Sequence, residues 1–202
     1  MPSSGASGGI LVAWDSGSLS GQTVAVHEYH VTVRFSSTST NNSFLLSTVY
    51  APCLNSERTR FFEAMSSLNV QDSLQWIVLG DFNMYRFAHE KSQGLISWNV
   101  MERFNSWIKD SGLDDIHIDN RLFTWSNKMS SPTLVRLEHV LVNTAWNLSL
   151  LHTSISVVPA TTSDHAPILV KFSDDVPRSS LFRMENHWLE TEEARNIIMD
   201  CW

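Results

Sequence analysis

The run Trp76-Ile77-Val78-Leu79-Gly80-Asp81-Phe82-Asn83-Met84-Tyr85 decides how this chain folds. Four apolar residues without polar alternation predict a strand covered on both faces, in the middle of a sheet. Gly80 permits a tight turn or a close backbone approach, and Asp81 and Asn83 then emerge at the strand end, where a rigid scaffold presents them to solvent. Ionised Asp81 offers hard oxygens to a divalent cation or a base to water, and Asn83 offers a donor and an acceptor to a phosphate oxygen. The same residues suit an Asx turn that merely closes the strand.

A second stretch shifts that balance toward chemistry. Thr161-Thr162-Ser163-Asp164-His165-Ala166-Pro167 leads into the apolar run Ile168-Leu169-Val170, which places Asp164 and His165 at another strand edge. Neighbouring side chains on an extended chain point to opposite sides, so His165 needs its orienting carboxylate from elsewhere. Glu138 is the candidate, a single acid inside the strand-like run from Leu134 to Asn143 that is costly to bury without a partner.

Between these stretches the chain alternates strands and helices. Ile10 to Trp14, Val24 to Phe35 and Phe44 to Tyr50 read as three strands, the last ended by Ala51-Pro52. Asn55 to Leu68 reads as a helix with a capping Asn or Ser and with Phe61, Phe62, Met65 and Leu68 on one stripe; Arg58 and Arg60 fall on its solvated side. A second helix is predicted over about Asn99 to Ser111, stopped by Gly112, and Phe123 to Asn127 reads as a short strand and turn. His89, Glu90 and Lys91 read as ordinary surface, and Asp114 and Asp115 as loop or cap residues.

Composition narrows the class. The 202 residues, 43% hydrophobic, suffice for one domain with a sizeable core, and no apolar run is long enough to span a bilayer. A net charge of −7 lacks the clustered positive charge of a tight nucleic-acid binder. Cys53 and Cys201 are too few for a zinc site or a disulfide framework, and read as structural thiols in a reducing compartment. The N-terminus has neither the charge nor the apolar core of a signal peptide, so the expected setting is intracellular, nuclear or cytoplasmic, not secreted. Residues 1–173 are read as the folded domain, and residues 174–202 as a Pro-containing linker and short helical tail.

Taken in order, Tyr50-Ala51-Pro52, Gly80-Asp81-Phe82-Asn83, Arg136-Leu137-Glu138 and Ser163-Asp164-His165 resemble the endonuclease/exonuclease/phosphatase superfamily, with its deoxyribonuclease I-like fold. Gly8 to Asp15, Phe123 to Asn127 and Phe182 to Asn186 resemble, more narrowly, the plant branch of non-LTR (LINE-type) retrotransposon open reading frames, where an endonuclease domain precedes a reverse transcriptase. The resemblance covers roughly residues 8 to 190. It implies an α/β fold, a two-layer, mostly antiparallel β-sandwich flanked by helices, with the family's first strands missing. Those strands carry an Asn and a metal-binding Glu, and no acid precedes Asp15 here.

The activity implied is that of a metal-dependent phosphodiesterase, a DNA endonuclease using Mg²⁺ or Mn²⁺, impaired by loss of the N-terminal ligand strand. The alternative is a catalytically inactive retrotransposon remnant or an interaction domain. Its catalytic residues would be His165, Asp81, Asn83, Glu138 and Tyr50, although a buried structural Tyr50 suits the residues alone. Asp81 and Asp164 would bind metal, Asn83, Trp125 and Asn127 would contact substrate, and His165 would serve as proton acceptor or phosphate stabiliser. At position 138 the family usually has Asp followed by Arg or Tyr, where this chain has Glu138-His139. The extra methylene moves the carboxylate by about an ångström, a displacement that can cost roughly a hundredfold in rate. DNA binding is expected to be weak or lost, with no membrane association and the oligomeric state open.

Overall fold

In a computed structural model the described residues are 9–40, 42–150, 152–159, 162–173 and 196, and everything below concerns these. The linker and tail expected after residue 173 lie outside them, apart from residue 196, as does Cys201. A six-stranded sheet runs through the centre. Its strands are β1 (Leu19–Val26), β2 (His30–Ser37), β3 (Ser43–Tyr50), β4 (Gln75–Asp81), β5 (Leu113–Asp115) and β8 (Glu138–Asn143), in the spatial order β1-β2-β3-β4-β8-β5. Only β3 and β4 pair in parallel, joined by the crossover helix α1 (Arg58–Ser66); all other pairs are antiparallel.

As its apolar run requires, β4 lies inside the sheet, with Trp76, Ile77 and Val78 buried. Trp76, Val78 and Leu141 face α1 and α2 (Trp98–Asp110), where Phe61, Met65, Phe82, Phe104 and Trp107 fill the core. Ile77, Val140 and Val142 face the other way, onto the antiparallel pair β9 (His152–Val157) and β10 (Ile168–Ser173) and onto Trp146 of α3 (Thr144–Ser149). The sandwich therefore has one broad sheet and one narrow one. A separate ribbon of β6 (Trp125–Ser126) and β7 (Leu134–Val135) stands beside it.

Gly80 accounts for the close approach of β3 and β4 at the site end. Its φ is +140°, and a Cβ there would lie 2.1 Å from the carbonyl oxygen of Val49, its neighbour across the pair.

Several local expectations are corrected. Residues 10–14 form no strand; instead Ile10 and Val12 pack over Val31, Val33 and Phe35, and Trp14 meets Phe35 edge-on at 5.3 Å. α1 starts at Arg58, and its N-cap Glu57 makes no side-chain capping bond. The expected strand from Leu134 to Asn143 is broken at Arg136 and Leu137, because Arg136 turns inward onto two carboxylates. Glu90, read as surface, is 1% exposed, and Asp115 belongs to β5 with its side chain 3% exposed. Cys53 is exposed rather than a buried structural thiol.

Candidate active site

The cross-strand register gathers the candidate residues. Tyr50 is the partner of Asp81 across the parallel β3–β4 pair, and Asp81 is the partner of Glu138 across the antiparallel β4–β8 pair. Directly paired residues project to the same side of a sheet, so Tyr50, Asp81 and Glu138 stand side by side at one level on the face turned to β9 and β10. His165 arrives on the segment entering β10, where it bridges to Trp125. Its Nδ1 lies 2.6 Å from Glu138 Oε1. One ligand-capable atom from each of Asp81, Glu138 and His165 falls within 4.8 Å of the others.

Asp81 combines the two readings its sequence left open. Its Oδ1 accepts the N–H of Asn83 at 2.8 Å, which is an Asx turn, while the carboxylate still faces Glu138 and His165. Burial, reinforced by the negative charge of Glu138, pushes its carboxyl up to about 6. Asn83 holds the turn in the left-handed region at φ 50°, a conformation its short polar side chain tolerates. Its amide nitrogen donates to Ala51 O at 2.8 Å and to Asp81 Oδ2 at 3.1 Å. Asn83 thus spends one amide hydrogen on Asp81 and the other on Ala51, and contact with a phosphate through them would require the amide to turn.

Glu138 is buried at 8% exposure. Oε1 holds His165, whereas Oε2 is shielded from solvent without a hydrogen-bond partner. The hydrogen bond to Glu138 raises the His165 imidazole above its ordinary value, against the opposing effect of burial. His165 keeps about a third of its side chain exposed, and its Nε2 has no hydrogen bond among the described residues.

The other candidates stand apart from this cluster. Asp164 is exposed and points away, its Oδ2 accepting from the Trp125 indole Nε1 at 3.0 Å, a bond that holds its carboxyl below the usual range. Its carboxylate is not among the atoms that meet at Asp81. Trp125 is half-buried, with its ring centroid 6.5 Å from that of His165. Asn127 closes its own loop by accepting from Met129 N at 3.3 Å and Thr133 N at 2.9 Å.

Residues that the sequence reading left on the surface support the site. Arg58 is half-buried, and its Nη2 donates to Asn83 O at 2.9 Å and to Cys53 O at 3.3 Å, clamping the loops that follow β3 and β4. Arg60 stays at the surface against Glu28. Behind the sheet, His139 lies fully buried between Phe82 and Phe104, with Nε2 3.1 Å from Met84 O and Nδ1 3.1 Å from Asp115 Oδ2. Phe82 N donates to Leu137 O at 2.9 Å, so the Asp81 loop and the Glu138 strand are tied on both faces. An Arg inside a helix-like stretch carries no sequence signal that distinguishes a clamp from a solvated charge.

No family model matches this chain, and no curated protein matches it in sequence. Its structure is similar to the endonuclease domain of TRAS1, a telomere-specific non-LTR retrotransposon, with a TM-score of 0.62 over 76% of this chain and 68% of that one, at 11% identity. The fold is deoxyribonuclease I-like. A functionally unknown conserved protein from Enterococcus faecalis V583 is similar with a TM-score of 0.55 at 13% identity, covering 79% of this chain and 69% of that one. Beta toxin from Staphylococcus aureus follows with a TM-score of 0.50 at 11% identity, covering 71% of this chain and 57% of that one. Identities this low show the fold alone. Among the described residues no helix is long and apolar enough to cross a membrane.

Proposed function

We propose that Asp81, Glu138 and His165 form the centre of a metal-dependent phosphodiesterase acting on DNA, of the kind found in non-LTR retrotransposon endonucleases. The observation that carries this reading is the 2.6 Å pair of His165 and buried Glu138 beside Asp81, on the register of three adjacent strands. The stretches that resemble plant LINE-type elements and the structural likeness to the TRAS1 domain support the DNA substrate and the retrotransposon origin. The catalytic unit lies within residues 1–173, in a nuclear or cytoplasmic setting.

A divalent cation fits the donor set, since Asp81 and Glu138 bring carboxylate oxygens within 4.8 Å of one another, Oε2 of Glu138 has no partner, and no Lys or Arg forms an ion pair with either carboxylate among the described residues. Mg²⁺ or Mn²⁺ held there would stabilise charge developing on a phosphate and ease ionisation of the attacking water. Glu138 orients the imidazole and favours the doubly protonated ring, whose Nε2–H donates to a phosphate oxygen; the proton-acceptor role requires the neutral ring. Tyr50, level with Asp81, would contact the same phosphate, and Trp125, whose ring lies near that of His165, would border the substrate.

Activity should be low, because only Asp81 and Glu138 offer carboxylates to one cation among the described residues, and Mg²⁺ held by few ligands keeps most of its waters. Asp164 supplies no third ligand in this arrangement, and the net charge of −7 gives DNA little attraction. Nicking of supercoiled plasmid tests the reading. Slow nicking that requires Mg²⁺ or Mn²⁺, stops with EDTA and falls at least about a hundredfold in His165→Ala is expected. Nicking unchanged in that variant, or absent at every metal concentration, would leave the inactive remnant or interaction domain as the reading.

A further inference from the structure

We propose that Glu138 serves two partners at once: Oε1 holds the His165 imidazole, while Oε2 joins Asp81 in holding one divalent cation. This rests on the cluster being a cation site and goes beyond the ligand pair Asp81 and Asp164 implied by the motif resemblance. Oε2 of Glu138 is shielded from solvent, has no hydrogen-bond partner, and belongs to a side chain nine-tenths buried. A buried charged oxygen left unpaired costs more than a neutral polar group in the same place, and such atoms in folded chains usually have a partner. The groups around it do not supply one. His165 is taken by Oε1, Asp81 carries the same charge and sits directly across the strand pair, and Asn83 spends its amide hydrogens on Ala51 and Asp81.

No described residue satisfies this atom, which leaves a place for a cation, and two carboxylates at one point select a hard divalent one. The length of Glu matters. From the backbone position of Glu138, directly across the strand pair from Asp81, one carboxylate oxygen reaches His165 and leaves the second for a cation. An Asp at this position, one methylene shorter, would be drawn back from one partner or the other. Two consequences follow from the shared carboxylate. Cation binding draws charge from Glu138 and loosens its hold on His165, so metal occupancy reaches the imidazole without touching it. Removing His165 frees Oε1 and removes no cation ligand.

Calorimetric titration of Mn²⁺ into the full chain at pH 7.5, without nucleic acid, tests the assignment. One site is expected in the wild type, weakened at least tenfold in Glu138→Gln and in Glu138→Asp, while His165→Gln binds Mn²⁺ at least as tightly as the wild type. Wild-type affinity in Glu138→Gln alongside loss in Asp81→Asn would place the cation on Asp81 alone and overturn the inference, leaving the phosphodiesterase reading to the plasmid assay. Loss of binding in His165→Gln would give the cation to the imidazole and overturn it as well. A measurement on the unaltered chain guards against misfolded variants: Mg²⁺ added at constant pH should shift the ring resonances of His165 and leave those of half-buried His27 in place. No shift of the His165 resonances at a Mg²⁺ concentration that saturates the site would overturn the shared carboxylate.

Discussion

Two clusters of acid, acid and histidine sit back to back on the strands that end at the site, and they differ in what neutralises them. In the first, Asp81, Glu138 and His165 meet on the face turned to β9 and β10. In the second, Glu90, Asp115 and His139 meet on the helix face, equally close in their ligand-capable atoms. The second is sealed by arginines. Arg136 donates to Glu90 Oε1 at 2.9 Å and to Asp115 Oδ1 at 2.8 Å, and Arg86 approaches Asp115 Oδ2 at 3.4 Å. The remaining oxygen of Glu90 accepts the backbone N–H groups of Arg86 and Phe87. Burial alone would raise the Asp115 carboxyl, but His139 and the two arginines overcome it and hold the carboxyl below its usual range. Among the described residues the first cluster has only His165 as a counter-charge, and an oxygen of Glu138 is unpaired. Equal inventories of acid and imidazole therefore mean different things: the sealed cluster holds strands and loops in register, and the open one keeps charge available for a ligand.

Removing a counter-charge from the sealed cluster should have the largest effect. Arg136→Met leaves Glu90 and Asp115 buried without their main partner, and such a loss typically costs about 3–5 kcal/mol. Thermal unfolding should move down by roughly 10 °C for a domain of this size. A drop below about 1 kcal/mol would mean the arginine is dispensable and the contrast between the clusters is false.

The pH dependence of stability sharpens the same contrast. The Asp81 carboxyl stands at about 6 in the folded chain against an ordinary 3.8, so between these values the folded state binds more protons than the unfolded one, and stability falls as pH rises. His30, 2% exposed and pushed down to about 4 by burial and by His27, works oppositely, because the folded state binds fewer protons between about 4 and 6.5 and stability rises with pH. In EDTA the two should largely cancel across this window. With saturating Mn²⁺ the cation takes the place of the proton at Asp81, so stability should climb clearly from pH 4.5 to 6.5, and Mn²⁺ affinity should fall steeply below pH 6. Identical denaturation profiles with and without Mn²⁺ would show that Asp81 has no cation to exchange for its proton.

The sequence shows this contrast only on one side. The central strand, the turn at Gly80 and the pairing of His165 with Glu138 were legible, because each rests on local pattern or on the cost of burying a lone acid: Trp76 to Leu79 has no polar face, and Glu138 sits inside an apolar run. The sealed cluster was not. Glu90, Asp115 and Arg136 come from a short turn, an edge strand and a strand break, and nothing local distinguishes a charge that meets its partner across 46 residues of chain from one left in water. Asp164 differs the other way: adjacent to His165 in sequence, it lies in a bend where its carboxylate accepts from the Trp125 indole and is not among the atoms that meet at Asp81.

Glu138→Gln tests most directly whether the open cluster holds charge in reserve at the expense of stability. The amide keeps an oxygen for His165 and replaces the unpaired Oε2 with an N–H donor, removing a like charge from beside Asp81 without changing shape. Thermal denaturation of both proteins at pH 8 in EDTA should find the variant more stable by about 1 kcal/mol, or roughly 2–4 °C. Mn²⁺ at about a hundred times its dissociation constant should then stabilise the wild type by about 2.7 kcal/mol and the variant far less. A variant less stable than the wild type in EDTA, and equally stabilised by Mn²⁺, would contradict a cluster reserved for a cation.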